Sequence, residues 1–573
     1  MPVLPRLTVQ QLKPYHKPLE GRSEFARLDF NENTTGFPAV YPDGVSAFAI
    51  SAYPEYEVFI NRLANFYEVN ADSILLTNGS DEGISVAAQT FVEIQGDYAV
   101  VSDPCFSMIP QLLTLAGATL REVKVLCDLS FDLAGIETAL QQGAKIAMFA
   151  TPENPTGAIL DRESIKKWCT QYPNTLFVID EAYGEFTDSS MLSNIKQFEN
   201  LLVLKTFSKA WGMAGLRLGI AFGAPAVIEY MQRVKLPYSV NAMAVQTANK
   251  LLDRASEVKA TAAKAVADIN KLADELIDEG YRVNKGFSNS FLLGAGINAE
   301  RLSEHCRSRG VLIRNRSNSV FIDDLNGNRS AMWGRLRVSV GTENEHIKFL
   351  TALNSFNKNY GILFDLDGTL VDTTFSFDQT VKELVEHYSG HPLPDAELQA
   401  LRAEGGFNDD WQAAHELIKR RGVVVPLEDV IQRALPLYLS IAKKNEQIMC
   451  SWTVLGKLRK RHSLYIITGR TRPEYEPIWA ERLEPIFSRI YCLGDLESKQ
   501  AKPSPDYLLQ AMSDASLTGG CYIGNSVDDM QAARAAGLDA IGITSTQPAE
   551  VLKKAGAQIT IKSMEQLEEV FML

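Results

Sequence analysis

The sequence predicts an α/β fold in two successive parts, and three observations carry this expectation. Apolar strand-like runs alternate with segments of helical period along the first 245 residues, the rhythm of a mostly parallel sheet with crossover helices. A second apolar run, Gly361–Phe364, ends in the acidic turn Asp365–Leu366–Asp367–Gly368–Thr369 and restarts that rhythm. At 573 residues the chain is also too long for one core.

Composition is that of a globular protein, 46% hydrophobic and 22% charged. The net charge of −13 argues against nucleic-acid or membrane-surface partners, which select basic patches. Seven cysteines are scattered without CxxC spacing and seven histidines show no ligand pairing, so reduced thiols and no zinc are expected. The opening Met1–Pro2–Val3–Leu4–Pro5 lacks a signal-peptide layout, and no apolar run reaches membrane-spanning length. A cytoplasmic location is the expectation.

Residues 1–33 read as an N-terminal arm, with prolines at 2, 5, 14 and 18 and little periodicity. A turn-rich region follows, ending near Tyr53–Pro54–Glu55–Tyr56, and the spacing then predicts a helix over Glu57–Tyr67. Ser73–Leu76 is a short strand, and Thr77–Asn78–Gly79–Ser80–Asp81–Glu82–Gly83 is a glycine turn opening a helix to about Val92. Such a turn exposes backbone N–H groups suited to phosphate. Strands are expected at Tyr98–Ser102, Lys145–Ala150, Leu176–Ile179 and Leu201–Leu204, with helices between them. In a parallel sheet ligand residues sit in loops at the carboxyl ends of strands. The three most telling loops sit there: Thr151–Gly157, Asp180–Tyr183 and Thr206–Lys209.

Lys209 lies among small and apolar residues, where an amine is easily desolvated and becomes a nucleophile towards an aldehyde. Thr206, Ser208 and Arg217 around it are residue types that hold phosphate. An aldehyde carrying a phosphate describes pyridoxal phosphate. Its ring accepts electrons only with a protonated nitrogen, which a buried carboxylate enforces; Asp180, after the apolar Leu176–Ile179, is the candidate. Asn154 and Tyr183 can donate to the phenolic oxygen. Phe106 either stacks on the ring or packs in the core.

The ordered set NEN, YP, NGSDEG, NPTG, DEAY, TFSKAWGMAGLRLG and LRVSVGT resembles fold-type I aminotransferases, and more narrowly the histidinol-phosphate aminotransferases. The resemblance covers nearly all of residues 1–350. It implies that Lys209 is the Schiff-base lysine and that Asp180 partners the pyridine nitrogen. It places Ser80, Asp81, Thr206, Ser208 and Arg217 around the cofactor phosphate, and it implies a homodimer in which Tyr53 reaches the partner subunit's site. Phe106 stands where the family usually carries tyrosine, so stacking survives and a hydroxyl is lost.

Residues 34–245 read as the large domain and 246–355 as a small one, with a long helical pattern from Ala248 to Glu279. Arg337, in the LRVSVGT motif, matches the family's substrate-anion arginine, whose planar fork suits both a carboxylate and a phosphate. Arg314 is either a second anion ligand or a solvated surface residue.

Residues 356–360 read as a linker, and 361–573 as the second part. On a strand, alternate residues share a face, so Asp365 and Asp367 can serve one site. One carboxylate can attack phosphorus while the other handles protons, and Mg²⁺ would offset the charge. The strand Leu464–Ile467 ends at Thr468, whose hydroxyl can hold a phosphoryl oxygen. Lys502 can neutralise charge, and Cys521–Ile523 leads to Gly524–Asn525–Ser526–Val527–Asp528–Asp529. This order resembles the haloacid-dehalogenase superfamily of phosphohydrolases. It implies a Rossmann-like domain with Asp365 as nucleophile, Asp367 as acid/base, Thr468 and Lys502 as phosphoryl holders and Asp529 at the metal site. Asn525 stands where the family carries a metal-binding aspartate; its carbonyl can still ligate Mg²⁺ with less charge. Helical patterns at Phe377–Tyr388, Asp395–Ala403, Trp411–Arg420 and Leu427–Lys444 suit a cap over about 375–450. Its loop Gly405–Trp411 is either a specificity element or a simple turn.

Together the two parts suggest consecutive steps: transamination of imidazole-acetol phosphate with glutamate, then hydrolysis of histidinol phosphate. Open alternatives are another phosphorylated or aromatic amino compound for the first part, and an unrelated ester or a non-catalytic binding role for the second.

Overall fold

The computed structural model describes residues 25–29, 31–32, 53–93, 96–317, 331–404, 409–497 and 499–573. These divide into two compact units near residue 352. In the first unit, strand β1 (Ala26–Leu28) stands apart from a run of seven: β2 (Ile74–Thr77), β3 (Tyr98–Asp103), β4 (Thr119–Lys124), β5 (Ile146–Ala150), β6 (Leu176–Asp180), β7 (Leu201–Thr206) and β8 (Gly219–Gly223). The seven form one sheet in the order β2-β8-β7-β6-β5-β3-β4. It is parallel from β7 to β4, while β8 runs antiparallel to both β2 and β7. Period-two patterning splits its side chains: Phe177, Ile179, Leu201 and Val203 join one core cluster, and Val178, Leu202 and Leu204 the other. Burial on both faces is what a parallel sheet requires, and it accounts for the near-continuous apolar runs.

Strands β9 (Val283–Lys285), β10 (Ser290–Gly294), β11 (Val311–Asn315) and β12 (Arg335–Ser339) join β1 in a smaller sheet, ordered β1-β11-β12-β10-β9. The expected arm therefore needs correction at its end. Ala26 and Leu28 bury their side chains in this sheet, a pattern of three residues too short to read as a strand. Residues 1–24 and 33–52 lie outside the described residues.

The helical pattern from Ala248 onward is two helices, Ala242–Leu252 and Ala255–Asp278. Val245, Ala248, Leu251, Leu252, Val258 and Ala262 pack into a core cluster of the large sheet. The expected boundary at 245/246 thus cuts through an element that the larger core claims. The expected linker at 356–360 is also corrected: a helix spans Glu343–Asn359 and the next strand begins at Tyr360. Phe356 and Tyr360 are buried and their rings stack at 5.4 Å, so apolar contacts order a stretch that reads as polar.

The second unit holds β13 (Tyr360–Phe364), β14 (Val371–Asp372), β15 (Gln447–Ile448), β16 (Ser463–Thr471), β17 (Arg489–Leu493), β18 (Gly519–Gly524), β19 (Asp539–Ile543) and β20 (Ile559–Ile561). Six form a parallel sheet ordered β17-β16-β13-β18-β19-β20, and β14 pairs with β15. Between β14 and β15 lie the helices Ser376–Ser389, Asp395–Glu404, Asp410–Arg420 and Leu427–Asn445. They share a core of their own built on Val381, Leu384, Trp411, Leu417, Val430 and Tyr438. Of the candidate specificity loop, residues 405–408 lie outside the described residues.

Candidate active sites

In the large sheet, β5, β6 and β7 are neighbours, so the loops that leave their carboxyl ends converge. They open on a cavity of about 390 Å³ lined by Ser80, Asp81, Phe106, Asn154, Asp180, Tyr183, Thr206, Ser208, Lys209, Arg217, Arg314 and Arg337. Twelve of the residues expected from sequence are thus brought together by strand order. Tyr53 is not among them: it is 76% exposed and stacks on Tyr238 with ring centres 4.5 Å apart.

One end of the cavity suits a phosphate. Ser80 and Asp81 belong to the first turn of the helix Gly79–Phe91, whose leading N–H groups have no intrahelical acceptors. Thr206 Oγ1 lies 3.0 Å from Ser208 Oγ, and Arg217 Nη1 donates to Ser208 Oγ at 3.2 Å. Arg217 Nη2 pairs with Asp81 at 2.8 Å, so Asp81 orients the guanidinium; as an anion it is not itself suited to contact a phosphate.

The middle of the cavity suits a protonated ring. Asp180 is buried, and burial raises its carboxyl to about 7, with Asp81 adding to the rise. Among the described residues its side chain takes one hydrogen bond, from the Ala182 N–H at 3.1 Å. A cationic N–H is the partner that such a carboxylate lacks. Tyr183 Oη accepts from Asn31 Nδ2 at 3.2 Å and from Asn154 Nδ2 at 3.5 Å, which leaves its O–H to donate into the cavity. Arg337 Nη1 donates to Asn154 Oδ1 at 2.6 Å and so fixes the orientation of that amide. These groups fit pyridoxal phosphate: Asp180 for the ring nitrogen, Asn154 and Tyr183 for the phenolic oxygen, the serine–arginine end for the phosphate and Lys209 for the aldehyde.

The far end is cationic. Arg314 and Arg337 are register partners across β11 and β12, and Arg316 lines the same cavity. Like charges facing across a ladder are unfavourable unless an anion lies between them. Sequence reasoning did not single out Arg316, Asn31 or Glu32. The NEN motif was the available signal for the last two: Asn31 adopts φ 54° and bonds Tyr183, Ser290 and Ser339, while Glu32 lines the cavity.

In the second unit the neighbours β16, β13 and β18 again bring three strand ends together. Asp365 follows β13, Thr468 lies near the end of β16 and Asn525 follows β18. Lys502 Nζ bridges Asp365 Oδ1 at 2.6 Å and Asp529 Oδ1 at 2.7 Å. Burial alone would lower the pKa of this amine, but the two carboxylates outweigh it and raise it well above the ordinary value. Burial likewise pushes the Asp365 carboxyl up, against the pull of Lys502.

The other two acids of this site have protein partners. Asp529 Oδ2 accepts from the Asn525 N–H, the Ser526 N–H and the Ser526 hydroxyl, and its Oδ1 from Lys502 and Tyr522. Both oxygens of Asp529 thus have protein partners. Asp367 Oδ1 is held by Arg470 Nε at 2.8 Å and by Nη2. Arg470, which sequence reasoning also missed as a functional group, is buried and forks to Glu446 with two contacts of 3.1 Å. Asp365 Oδ2 and Asn525 Oδ1, oxygens of the kind a hard cation takes, lie 3.4 and 3.5 Å from Thr369 Oγ1.

Residues 44–353 match the family model of class I and II aminotransferases, more than half of the chain. The chain belongs to that family. Residues 362–543 match the haloacid dehalogenase-like hydrolases, so the second unit of this aminotransferase is a hydrolase domain of that kind. Over 362 residues the chain is 32% identical to histidinol-phosphate aminotransferase of Parabacteroides distasonis, covering 61% of this chain and 97% of the relative. The corresponding enzyme of Christiangramia forsetii is 30% identical over 361 residues, 61% of this chain and 96% of the relative. The fold of the aminotransferase unit is that of the solved histidinol-phosphate aminotransferase from Sinorhizobium meliloti in complex with pyridoxal-5'-phosphate. That likeness has a TM-score of 0.52 at 23% identity, over 61% of this chain and 96% of that one. Among the described residues no helix is long and apolar enough to cross a membrane.

Proposed function

We propose that the aminotransferase unit moves the amino group of glutamate onto imidazole-acetol phosphate, and that the hydrolase unit cleaves histidinol phosphate to histidinol. One observation carries the first half. A single cavity joins a lysine and a buried carboxylate to four arginines, in a chain 32% identical to a histidinol-phosphate aminotransferase. Arg314, Arg316 and Arg337 can hold the α-carboxylate of glutamate in one half-reaction and the substrate phosphate in the other. Bound pyridoxal phosphate supplies an aldehyde for exchange with amines and a ring that accepts the electron pair of a Cα–H bond. Asp180 keeps a proton on the ring nitrogen, Asn154 and Tyr183 donate to the phenolic oxygen, and Lys209 Nζ takes the proton from the substrate Cα.

In the hydrolase unit Asp365 attacks phosphorus and Asp367 hands a proton to the leaving oxygen; water, giving a proton back to Asp367, then displaces Asp365 from phosphorus and frees phosphate. Thr468 and Lys502 hold the phosphoryl oxygens, and Mg²⁺ would rest on Asp365 and Asn525. The product of the first reaction is a phosphate monoester, the substrate class of the second, which supports the pairing. The unit also dimerises in this proposal, with Tyr53 turned to the partner; its exposure supports that reading. The free state of all seven cysteines supports a cytoplasmic location.

The test is phosphate release from histidinol phosphate with Mg²⁺, alongside a panel of other esters and an Asp365→Asn control. Selective release that the substitution abolishes is expected. Turnover of another ester without release from histidinol phosphate would break the pairing. A preference of the first unit for aromatic amino acids would displace its assigned substrate.

A further inference from the structure

The loop after β5 carries an acid that takes no place in the cavity. Glu153 is 1% exposed and precedes Asn154. Its Oε1 accepts the N–H of Asn154 at 2.8 Å and the N–H of Phe106 at 3.2 Å, while its Oε2 accepts the Ser102 hydroxyl at 3.1 Å. These donors come from two segments: Ser102 ends the buried part of β3, Phe106 lies in the loop beyond it, and Asn154 lies in the loop beyond β5. The two strands pair only at Ala99–Ile146 and Val100–Ala147, so the ladder does not reach the loops.

We propose that Glu153 is a positioning residue for the cofactor, clamping the loop of Phe106 to the loop of Asn154 so that ring face and phenolic oxygen are met in one register. The inference rests on the pyridoxal-phosphate reading of the cavity. The carboxyl suits the task because one oxygen accepts two backbone N–H groups, one from each part-buried loop. Burial also raises it to about 8, so at neutral pH it holds both amides with little negative charge beside Asn154.

The experiment reconstitutes the cofactor-free full-length chain and its Glu153→Gln, Glu153→Ala and Glu153→Asp variants with pyridoxal phosphate. Titration gives the Kd, visible circular dichroism reports the ring's orientation, and far-UV dichroism checks the fold. Glu153→Gln keeps an oxygen for the amides and an NH₂ for Ser102, and is expected to bind within about threefold of the native chain. Glu153→Ala is expected to weaken binding about tenfold or more and to lose most of the visible dichroism. Should it fail to fold, Glu153→Asp, which withdraws the carboxyl by one methylene, is expected to show the same losses in a native fold. A folded Ala or Asp variant with native Kd and dichroism overturns the inference, as does a Gln variant that falls as far as Ala. A native chain that does not bind pyridoxal phosphate overturns the underlying reading instead.

Discussion

At Asp180 burial sets the chemistry of a single atom. The folded carboxyl titrates at about 7, against an ordinary 3.8, so the folded state keeps a proton that the unfolded chain releases between those values. The stability this contributes is present below about pH 4 and is lost as pH rises through about 7, up to about 4 kcal/mol. In cofactor-free protein, Asp180→Asn is expected to flatten part of the fall in melting temperature over that window and to weaken pyridoxal phosphate binding. An unchanged slope would count against the assignment; Glu153 and Asp365 keep slopes of the same sign in either protein. Lys502 shows the converse, a cation placed between two carboxylates. Lys502→Met is expected to slow phosphate release about 100-fold or more, the scale of removing a preorganised charge from a phosphoryl site. Steady-state rates at saturating ester check this, and a loss under tenfold would refute it. The identity of these residues was legible in their motifs. The partners of Lys502 were not, because its two acids lie 137 and 27 positions away along the chain.

The turn before the helix Gly79–Phe91 shows how elements meet at the phosphate end. A Cβ on Gly219 would lie 2.4 Å from the Gly79 carbonyl carbon and 2.6 Å from the Ser80 nitrogen, so β8 approaches the helix start backbone to backbone. At Gly79 φ is +75°, and an added Cβ would meet the end of the Arg217 side chain, which can move. Gly219→Ala is therefore expected to destabilise the aminotransferase unit by more than about 2 kcal/mol, and Gly79→Ala by about 1 kcal/mol with weaker cofactor binding. Chemical denaturation followed by fluorescence ranks the two, and the reverse order would contradict the backbone contact. The four cap helices were readable from their period. Strand β1 was not, since Ala26–Leu28 earns its conformation from β11 rather than from its own pattern.

Over the whole molecule, two sheets build two sites by the same device, three adjacent parallel strands releasing their loops at one edge. Each site draws on residues of its own unit. Lys209→Ala is thus expected to abolish transamination and leave phosphate release intact, and Asp365→Asn to do the reverse. Paired assays on each variant check this; loss of both activities in either folded variant would contradict it. The sequence by itself determined the α/β class, the two enzyme families and most of the residues that line the aminotransferase cavity, because strand period, glycine turns and reactive side chains are local signals. Only the tertiary structure decided the partners. It set Arg316 beside Arg337, joined Asp529 to Lys502 and fastened Asp367 to Arg470 across 103 positions. Such contacts follow from strand order and loop convergence, which no local pattern encodes.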